Sequence, residues 1–189
     1  IYNFLRPKQT KNLVRFGINK DGGYVVEIDI ISKTNHLVSF GMGDEFSFEI
    51  DFLKHNNKNT LQIYDHTVNH KNYILNILKI FRRFATFRKN FKQLRFAISR
   101  YLVFIKFINN TKVSFFPLKI TRKINNKKEA DLNMVFSKIN ESINNVCLKI
   151  DIEGDEYFIL DDVIKYSQNV NILIIEFHET DSKKEMFLN

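Results

Sequence analysis

Polar and acidic side chains follow four apolar segments of the sequence, at the points where those segments end. In chain order they are Gly41-Met42-Gly43-Asp44, Asp65, Asp151 with Glu153, and Glu176 with His178. Carboxylates and an imidazole can bind cations, accept protons or hydrogen-bond the hydroxyl groups of a ligand. The sequence therefore predicts one polar site that is assembled from separate segments.

The segments that must position these groups alternate between two periodicities. Strand patterns occupy residues 23–28, 36–40, 61–64, 112–118, 146–152 and 170–177, and helix patterns occupy 45–55, 71–108, 128–144 and 155–166. This alternation predicts an α/β fold with a mainly parallel sheet and helices on both faces. Ligands of such sheets bind beyond the carboxyl ends of the strands, which is where the polar groups lie.

The first turn permits two interpretations as a nucleotide site. A dinucleotide site requires Gly-x-Gly-x-x-Gly, but Phe46 stands at the third glycine, and Asp44 with Glu45 would repel a pyrophosphate. S-adenosylmethionine (SAM) carries a sulfonium and an ammonium group and no phosphate, so acidic neighbours suit it. Asp65 is placed to accept its ribose hydroxyls. The remaining alternative is a pair of ordinary turn glycines with a helix-capping Asp44.

Four motifs resemble those of FkbM-type methyltransferases, in particular their methyltransferase-like 24 branch. They are Leu148 to Glu156 (LKIDIEGDE), Arg15 to Val26 (RFG with DGGYVV), Val38 to Glu49 (VSFGMGDEFSFE) and Ile174 to His178 (IIEFH). The resemblance implies a class I methyltransferase with a Rossmann-like sheet that binds SAM. It also implies methyl transfer to an oxygen, which we expect to belong to a saccharide or another small hydroxyl-bearing acceptor.

The resemblance also assigns the cofactor-binding residues. Gly41 and Gly43 would approach the methionine part of SAM, with Met42 and Asp44 in the same turn, and Asp65 would bind the ribose. Asp21 and Tyr24 are further candidates for the pocket wall. A purely structural turn accounts for Asp21 and Tyr24 equally well.

Methyl transfer requires an enzyme to position the acceptor and to remove its proton. We expect His178 to be the base, because imidazole titrates near neutral pH. The resemblance implies that Asp151 and Glu153 lie beside the reaction centre. In the alternative interpretation His178 only caps its strand. A divalent cation gathered by these residues and Glu176 is less favoured, since no close ligand spacing supports it. We therefore assign no metal ligand.

Charge is distributed unevenly over the 189 residues, whose net charge is +8. Residues 66–128 hold 16 Lys and Arg and no Asp or Glu. Within this part, 71–108 predicts one long or two shorter basic amphipathic helices inserted into a single domain. Their apolar face is either core or a docking surface for a phosphate-bearing sugar or an anionic membrane. Nucleic-acid binding ranks last, because the phenylalanines look periodic and buried.

The remaining features bear on compartment and completeness. Cys147 is the only cysteine, which excludes an internal disulfide and fits a cytoplasmic protein, with peripheral membrane contact through the insert as an addition. No signal peptide or membrane span is expected. Class I folds normally end with two further strands, for which too few residues follow His178. A non-catalytic or truncated domain that binds an anionic partner is therefore the alternative function.

Overall fold

The computed structural model describes residues 9–86, 90–139 and 145–180. These residues form nine strands and six helices. In chain order they are β1 (Leu13–Phe16), β2 (Tyr24–Glu27), α1 (Ile28–Ile31), β3 (His36–Phe40), α2 (Ser47–His55), β4 (Thr60–Tyr64), α3 (His70–Ala85), α4 (Phe91–Ile108), β5 (Val113–Phe116), β6 (Lys119–Ile120), β7 (Glu129–Ala130), α5 (Leu132–Ser137), β8 (Val146–Ile150), α6 (Glu156–Lys165) and β9 (Val170–Ile175).

Five strands form the central sheet in the order β5-β4-β3-β8-β9, and every neighbouring pair is parallel. The chain starts at β3, builds to one side through β4 and β5, and then returns to the other side with β8 and β9. The strand order therefore reverses between β3 and β8. Such a reversal opens a crevice at the carboxyl ends of the two strands. The predicted parallel α/β sheet is confirmed, and the arrangement is compatible with a Rossmann-like fold.

Alternate side chains of the strands supply two apolar layers, one on each face of the sheet. On one face Leu37, Ile63 and Cys147 pack with side chains of α2 and α4. On the other face Val38 and Leu148 pack with side chains of α5 and α6. Helices thus cover both faces, as the alternation of patterns predicts. Cys147 is 0% exposed and belongs to the core, and this burial raises the pKa of its thiol.

Two predicted elements differ from the observed ones. The strand at 23–28 exists as β2, but it pairs antiparallel with β1 and lies outside the central sheet. The helix predicted over 128–144 is wrong at its start, because Glu129–Ala130 pairs with Lys119–Ile120 instead. The Asp131 side chain then caps Met134 N, so that the helix begins at Leu132. Residues 140–144 lie outside the described residues.

The basic insert is a pair of helices, α3 and α4. The break comes at Asn90, whose side chain accepts from Gln93 N in a capping box that starts the second helix. Of the apolar side chains in the pair, Tyr73, Leu94, Ala97, Phe104 and Phe107 are buried. Ten large apolar side chains are exposed: Ile74, Leu75, Leu78, Phe81, Phe84, Phe91, Phe96, Ile98, Leu102 and Val103. Assigning the whole apolar face to the core is therefore wrong.

Candidate active site

A cleft of about 350 Å³ lies at the carboxyl ends of β3, β4 and β8. Its position follows from the pairing of the strands: Gly41 N donates to Tyr64 O, and Asp151 N donates to Phe40 O. Most of the residues assigned from the sequence line it, namely Asp21, Gly41, Met42, Gly43, Asp44, Asp65, Asp151 and Glu153. Tyr24 and His178 do not line this cleft; they lie in an adjoining acidic cluster.

Gly41 and Gly43, the two glycines of the first turn, have different surroundings. Both have positive φ, +74° at Gly41 and +60° at Gly43. A side chain at Gly41 would collide with the backbone carbonyl of Asp151, so this glycine lets two strand ends approach each other. A Cβ at Gly43 would meet nothing within 4 Å. Gly43 therefore offers its backbone to open space that a ligand can fill.

The Asp65 carboxylate accepts hydrogen bonds from the loops of the cleft, which limits what it can offer to a ligand. The residue is only 4% exposed, and its Oδ2 accepts from Gly43 N at 2.7 Å. Its Oδ1 accepts from Thr67 N, Thr67 Oγ1 and Val68 N. A carboxylate has about four acceptor positions, two on each oxygen; three donors share those of Oδ1, and Gly43 N takes one of the two on Oδ2, so one position remains on Oδ2. Asp65 can thus accept one ligand hydroxyl, whereas two ribose hydroxyls would have to displace a loop contact.

Tyr24 joins the hairpin to the ends of β8 and β9. Its hydroxyl lies 3.1 Å from Asp151 Oδ2 and 2.9 Å from Glu176 Oε2. Burial, together with the charges of both carboxylates, raises the pKa of Tyr24, so that the phenol stays protonated. It acts as a hydrogen-bond donor that lies between two carboxylates, and not as a base.

His178 lies between four carboxylates. Its Nδ1 is 2.8 Å from Glu156 Oε1, and its Nε2 is 3.7 Å from Asp151 Oδ1 and 3.8 Å from Glu153 Oε2. Burial opposes a charge on the ring, but Glu156 and the other carboxylates outweigh it and raise the pKa of His178 above its ordinary value. The ring is therefore oriented by Glu156, with Nε2 directed towards the acidic groups beside the cleft.

Glu156 is fully buried, and the loop after β8 is folded around its carboxylate. Oε1 accepts from Ile152 N and Gly154 N. Burial by itself raises the pKa of Glu156, and the hydrogen bonds from these amides and from His178 lower it below the ordinary value. The residue belongs to the motif from Leu148 to Glu156, but no role was predicted for it from the sequence. The available signal was its place in that motif, at the first residue of α6.

A buried ion pair that was not predicted from the sequence supports the floor of the site. Lys149 is 1% exposed; its Nζ lies 3.3 Å from Glu49 Oε1 and donates to Gly41 O at 3.2 Å. The same Nζ lies 3.8 Å from Asp151 Oδ2. Ser39 donates to Glu49 Oε1 at 2.7 Å. The signal was a lysine in the otherwise apolar strand Val146–Ile150. The pair fixes the Gly41 turn relative to Asp151.

A second cavity, of about 830 Å³, lies between α3 and α4 and shares Asp44 and Thr67 with the first cleft. Five side-chain amides line it: Asn69, Asn72, Asn76, Asn90 and Gln93. Lys92, Arg100 and the rings of Tyr73 and Phe96 complete the wall. The Tyr73 hydroxyl is buried, and burial together with the nearby Asp44 raises its pKa to about 12.

No protein-family model, curated protein or solved structure matches the chain.

Proposed function

We propose that the protein is a SAM-dependent methyltransferase that methylates a hydroxyl group of a small acceptor. The proposal depends on one observation above all, the charge of the cleft. Seven carboxylates line it: Asp21, Asp44, Glu45, Asp65, Asp151, Glu153 and Asp155. The one Lys or Arg among the described lining residues is Lys119, whose Nζ lies 2.6 Å from Asp155. A cleft with this excess of negative charge favours a cationic ligand, and SAM carries two cationic groups.

The same cleft is unsuited to a dinucleotide. Glu45 Oε1 accepts from Ser47 N and so occupies an amide at the start of α2, where a pyrophosphate would bind. Phe46 replaces the third glycine of a dinucleotide motif, and its ring stacks at 5.2 Å on Phe107 in the core. These contacts support SAM over a nicotinamide cofactor.

The second cavity supports a hydroxyl-rich acceptor. Amide side chains both donate and accept hydrogen bonds, as a saccharide requires, while Lys92 and Arg100 suit a phosphate. Because the two cavities share Asp44 and Thr67, an acceptor between α3 and α4 would adjoin the cofactor. A phosphate-bearing sugar is therefore the acceptor that fits these walls.

Calorimetric titration with SAM and with NAD tests the proposal. We expect SAM to bind and NAD not to bind. Asn is the side chain best tolerated at positive φ, so Gly43→Asn should keep the fold while filling the open space. It should weaken SAM binding by about tenfold or more, or 1.4 kcal/mol. A folded wild-type protein that does not bind SAM would contradict the proposal.

A second candidate function is supported by the exposed apolar side chains of α3 and α4. Amphipathic helices with basic polar faces and exposed Phe and Leu bind the interface of anionic membranes. The region from His66 to Lys128 has no carboxylate side chain that would oppose such binding. None of the described helices has the length and apolar character that crossing a bilayer requires. The helix pair would therefore dock the protein on an anionic membrane surface, with or without catalysis.

A further inference from the structure

Three side chains from two strand ends converge beside the cleft at the carboxyl ends of β3, β4 and β8, which is the proposed cofactor cleft. One ligand atom each from Asp151, Glu153 and His178 lies within 4.8 Å of the other two. His178 Nε2 is 3.7 Å from Asp151 Oδ1 and 3.8 Å from Glu153 Oε2. Two ligands that each lie about 2.1 Å from one metal ion are separated by roughly 3 to 4 Å, depending on the angle between them. The two separations from His178 therefore fit a shared cation.

A second observation comes from the other side of the imidazole. Histidines that bind metals nearly always donate their second ring N–H to a carboxylate or a carbonyl, which fixes the ring. His178 Nδ1 makes this contact at 2.8 Å with Glu156, which is fully buried and is itself held by two backbone amides. The other oxygen of Glu156, Oε2, is buried without a hydrogen-bond partner among the described residues. Because Glu156 holds Nδ1, the other ring nitrogen, Nε2, points towards Asp151 and Glu153.

The negative charge around the imidazole also favours a bound cation. Glu176 Oε1 is the fourth carboxylate oxygen near the ring, at 4.0 Å from Nε2. The Tyr24 hydroxyl contacts both Asp151 and Glu176 but has one hydrogen, so it can donate to one of them at a time. Lys149 Nζ lies 3.8 Å from Asp151 Oδ2, so Lys149 and a protonated His178 would offset part of this negative charge, and a cation bound near Nε2 would offset more of it.

We propose that Asp151, Glu153 and His178 bind one divalent cation at the edge of the cofactor cleft. A set of one imidazole nitrogen and two carboxylate oxygens suits a first-row metal of intermediate preference, such as Mn²⁺. Asp151 and Glu153 also line the cleft, so the open coordination positions face the ligand space. With Nε2 on the metal, His178 would position the cation and would not serve as the base.

The consequence for catalysis depends on the methyltransferase function proposed above. A bound divalent cation lowers the pKa of a coordinated hydroxyl and orients it. With its pKa lowered, the acceptor hydroxyl would lose its proton to solvent water, and its oxygen would take the methyl group as the methyl–sulfur bond of SAM breaks and S-adenosylhomocysteine leaves. This extends the proposed function to a metal-assisted reaction, whereas the binding of Mn²⁺ itself requires no SAM.

Mn²⁺ titration of the metal-free full chain, followed by electron paramagnetic resonance, tests the proposal without SAM. We expect one Mn²⁺ per chain, with an imidazole nitrogen coupled to the bound ion. Glu156→Gln, which alters only the residue behind the ring, should weaken binding by about 10- to 100-fold. Asp161→Asn on the exposed face of α6 is the matched acid-to-amide control and should bind as the wild type does.

Two outcomes would overturn the proposal: no stoichiometric binding, or bound Mn²⁺ without a nitrogen coupling. The nitrogen coupling is measured on the wild type and therefore does not depend on any variant folding. SAM titration of the metal-free protein separates the two proposals. If SAM binds and Mn²⁺ does not, only the metal site is lost; if Mn²⁺ binds and SAM does not, only the methyltransferase function is lost.

Discussion

At the scale of single residues, the pair of Lys149 and Glu49 places two charges in the interior next to the site. The two side chains are 2% and 0% exposed. Removing one partner leaves the other buried and uncompensated, which typically costs about 3–5 kcal/mol. We expect Lys149→Met and Glu49→Gln each to lower the free energy of unfolding by about this amount. The double variant should lose much less than the sum of the two single variants.

Urea unfolding of the two single variants and the double variant measures this coupling. Lys165→Met is the control, because its ion pair with Asp162 is exposed and should contribute less than about 1 kcal/mol. Additive losses in the double variant would show that Lys149 and Glu49 do not stabilise each other.

His36, which begins the central strand, should make stability depend on pH. It is 4% exposed, and burial lowers its pKa from 6.5 to about 4. The neutral ring is therefore compatible with the fold, and the charged ring is not. The stability is complete above pH 6.5 and is lost as the pH falls towards 4, by up to about 3 kcal/mol. Unfolding of His36→Gln and the wild type at pH 7.5 and 4.5 isolates this contribution. A difference between the two proteins that is the same at both pH values would contradict the assignment.

The sequence predicted which residues meet at the site better than it predicted what they do there. Asp151, Glu153 and His178 were placed together because parallel strands end at one edge. The contacts of Tyr24 and Glu156 were not foreseen, since Tyr24 reaches Asp151 across 127 positions of sequence. Side-chain partners over such separations depend on loop paths that periodicity does not encode. The four hydrogen bonds that engage Asp65 were likewise invisible.

At the scale of elements, buried strands were the easiest to predict. The strands Val146–Ile150 and His36–Phe40 are buried at every position, and such continuous apolar runs are typical of parallel sheets. The helix that begins at Leu132 was harder to bound, because the residues before it pair with β6. The burial of Lys149 could not be predicted from its own strand, because it depends on a partner from another element.

The helix pair α3–α4 should bind anionic membranes through its exposed apolar side chains. Leu78 and Phe81 are 50% and 53% exposed and lie about one turn apart on α3. Replacing both by Ser should greatly reduce co-sedimentation with vesicles that contain phosphatidylserine, since it removes apolar area that would otherwise enter the interface. High salt should weaken the binding of the wild type, because its basic side chains contribute electrostatically.

Ile164→Ser is the matched control for this experiment. Ile164 is 68% exposed but lies on α6, outside the helix pair. Equal binding by this control and the double variant would exclude a specific role for α3. If the wild type fails to bind at either salt concentration, the exposed apolar side chains have some other partner, such as a second copy of the chain.

At the scale of the whole molecule, the two charge regions predicted from the sequence correspond to two structural parts. The acidic strand ends form the cleft, and the basic segment contributes α3 and α4, which wall the second cavity. A cationic cofactor and an anionic acceptor would each meet a complementary surface. The uneven distribution of charge in the sequence predicted this separation. The position of the two cavities next to each other depends on the packing of α4 against the sheet.

The central sheet has two edge strands within the described residues, β5 and β9, and the β9 edge, where Leu173 is exposed, should govern self-association. Within the described residues β9 pairs with β8 on one side and has no strand on the other. An unpaired edge presents backbone donors and acceptors that can pair with another chain, and Leu173 on this strand is 47% exposed. We expect the protein to associate as its concentration rises. Leu173→Lys should suppress association, because a charged side chain on an edge strand disfavours pairing, and it should change stability little.

Sedimentation velocity over a range of concentrations measures this effect, with Ile164→Lys on α6 as the control. Suppression by both variants alike would mean that net charge, and not the strand edge, controls association.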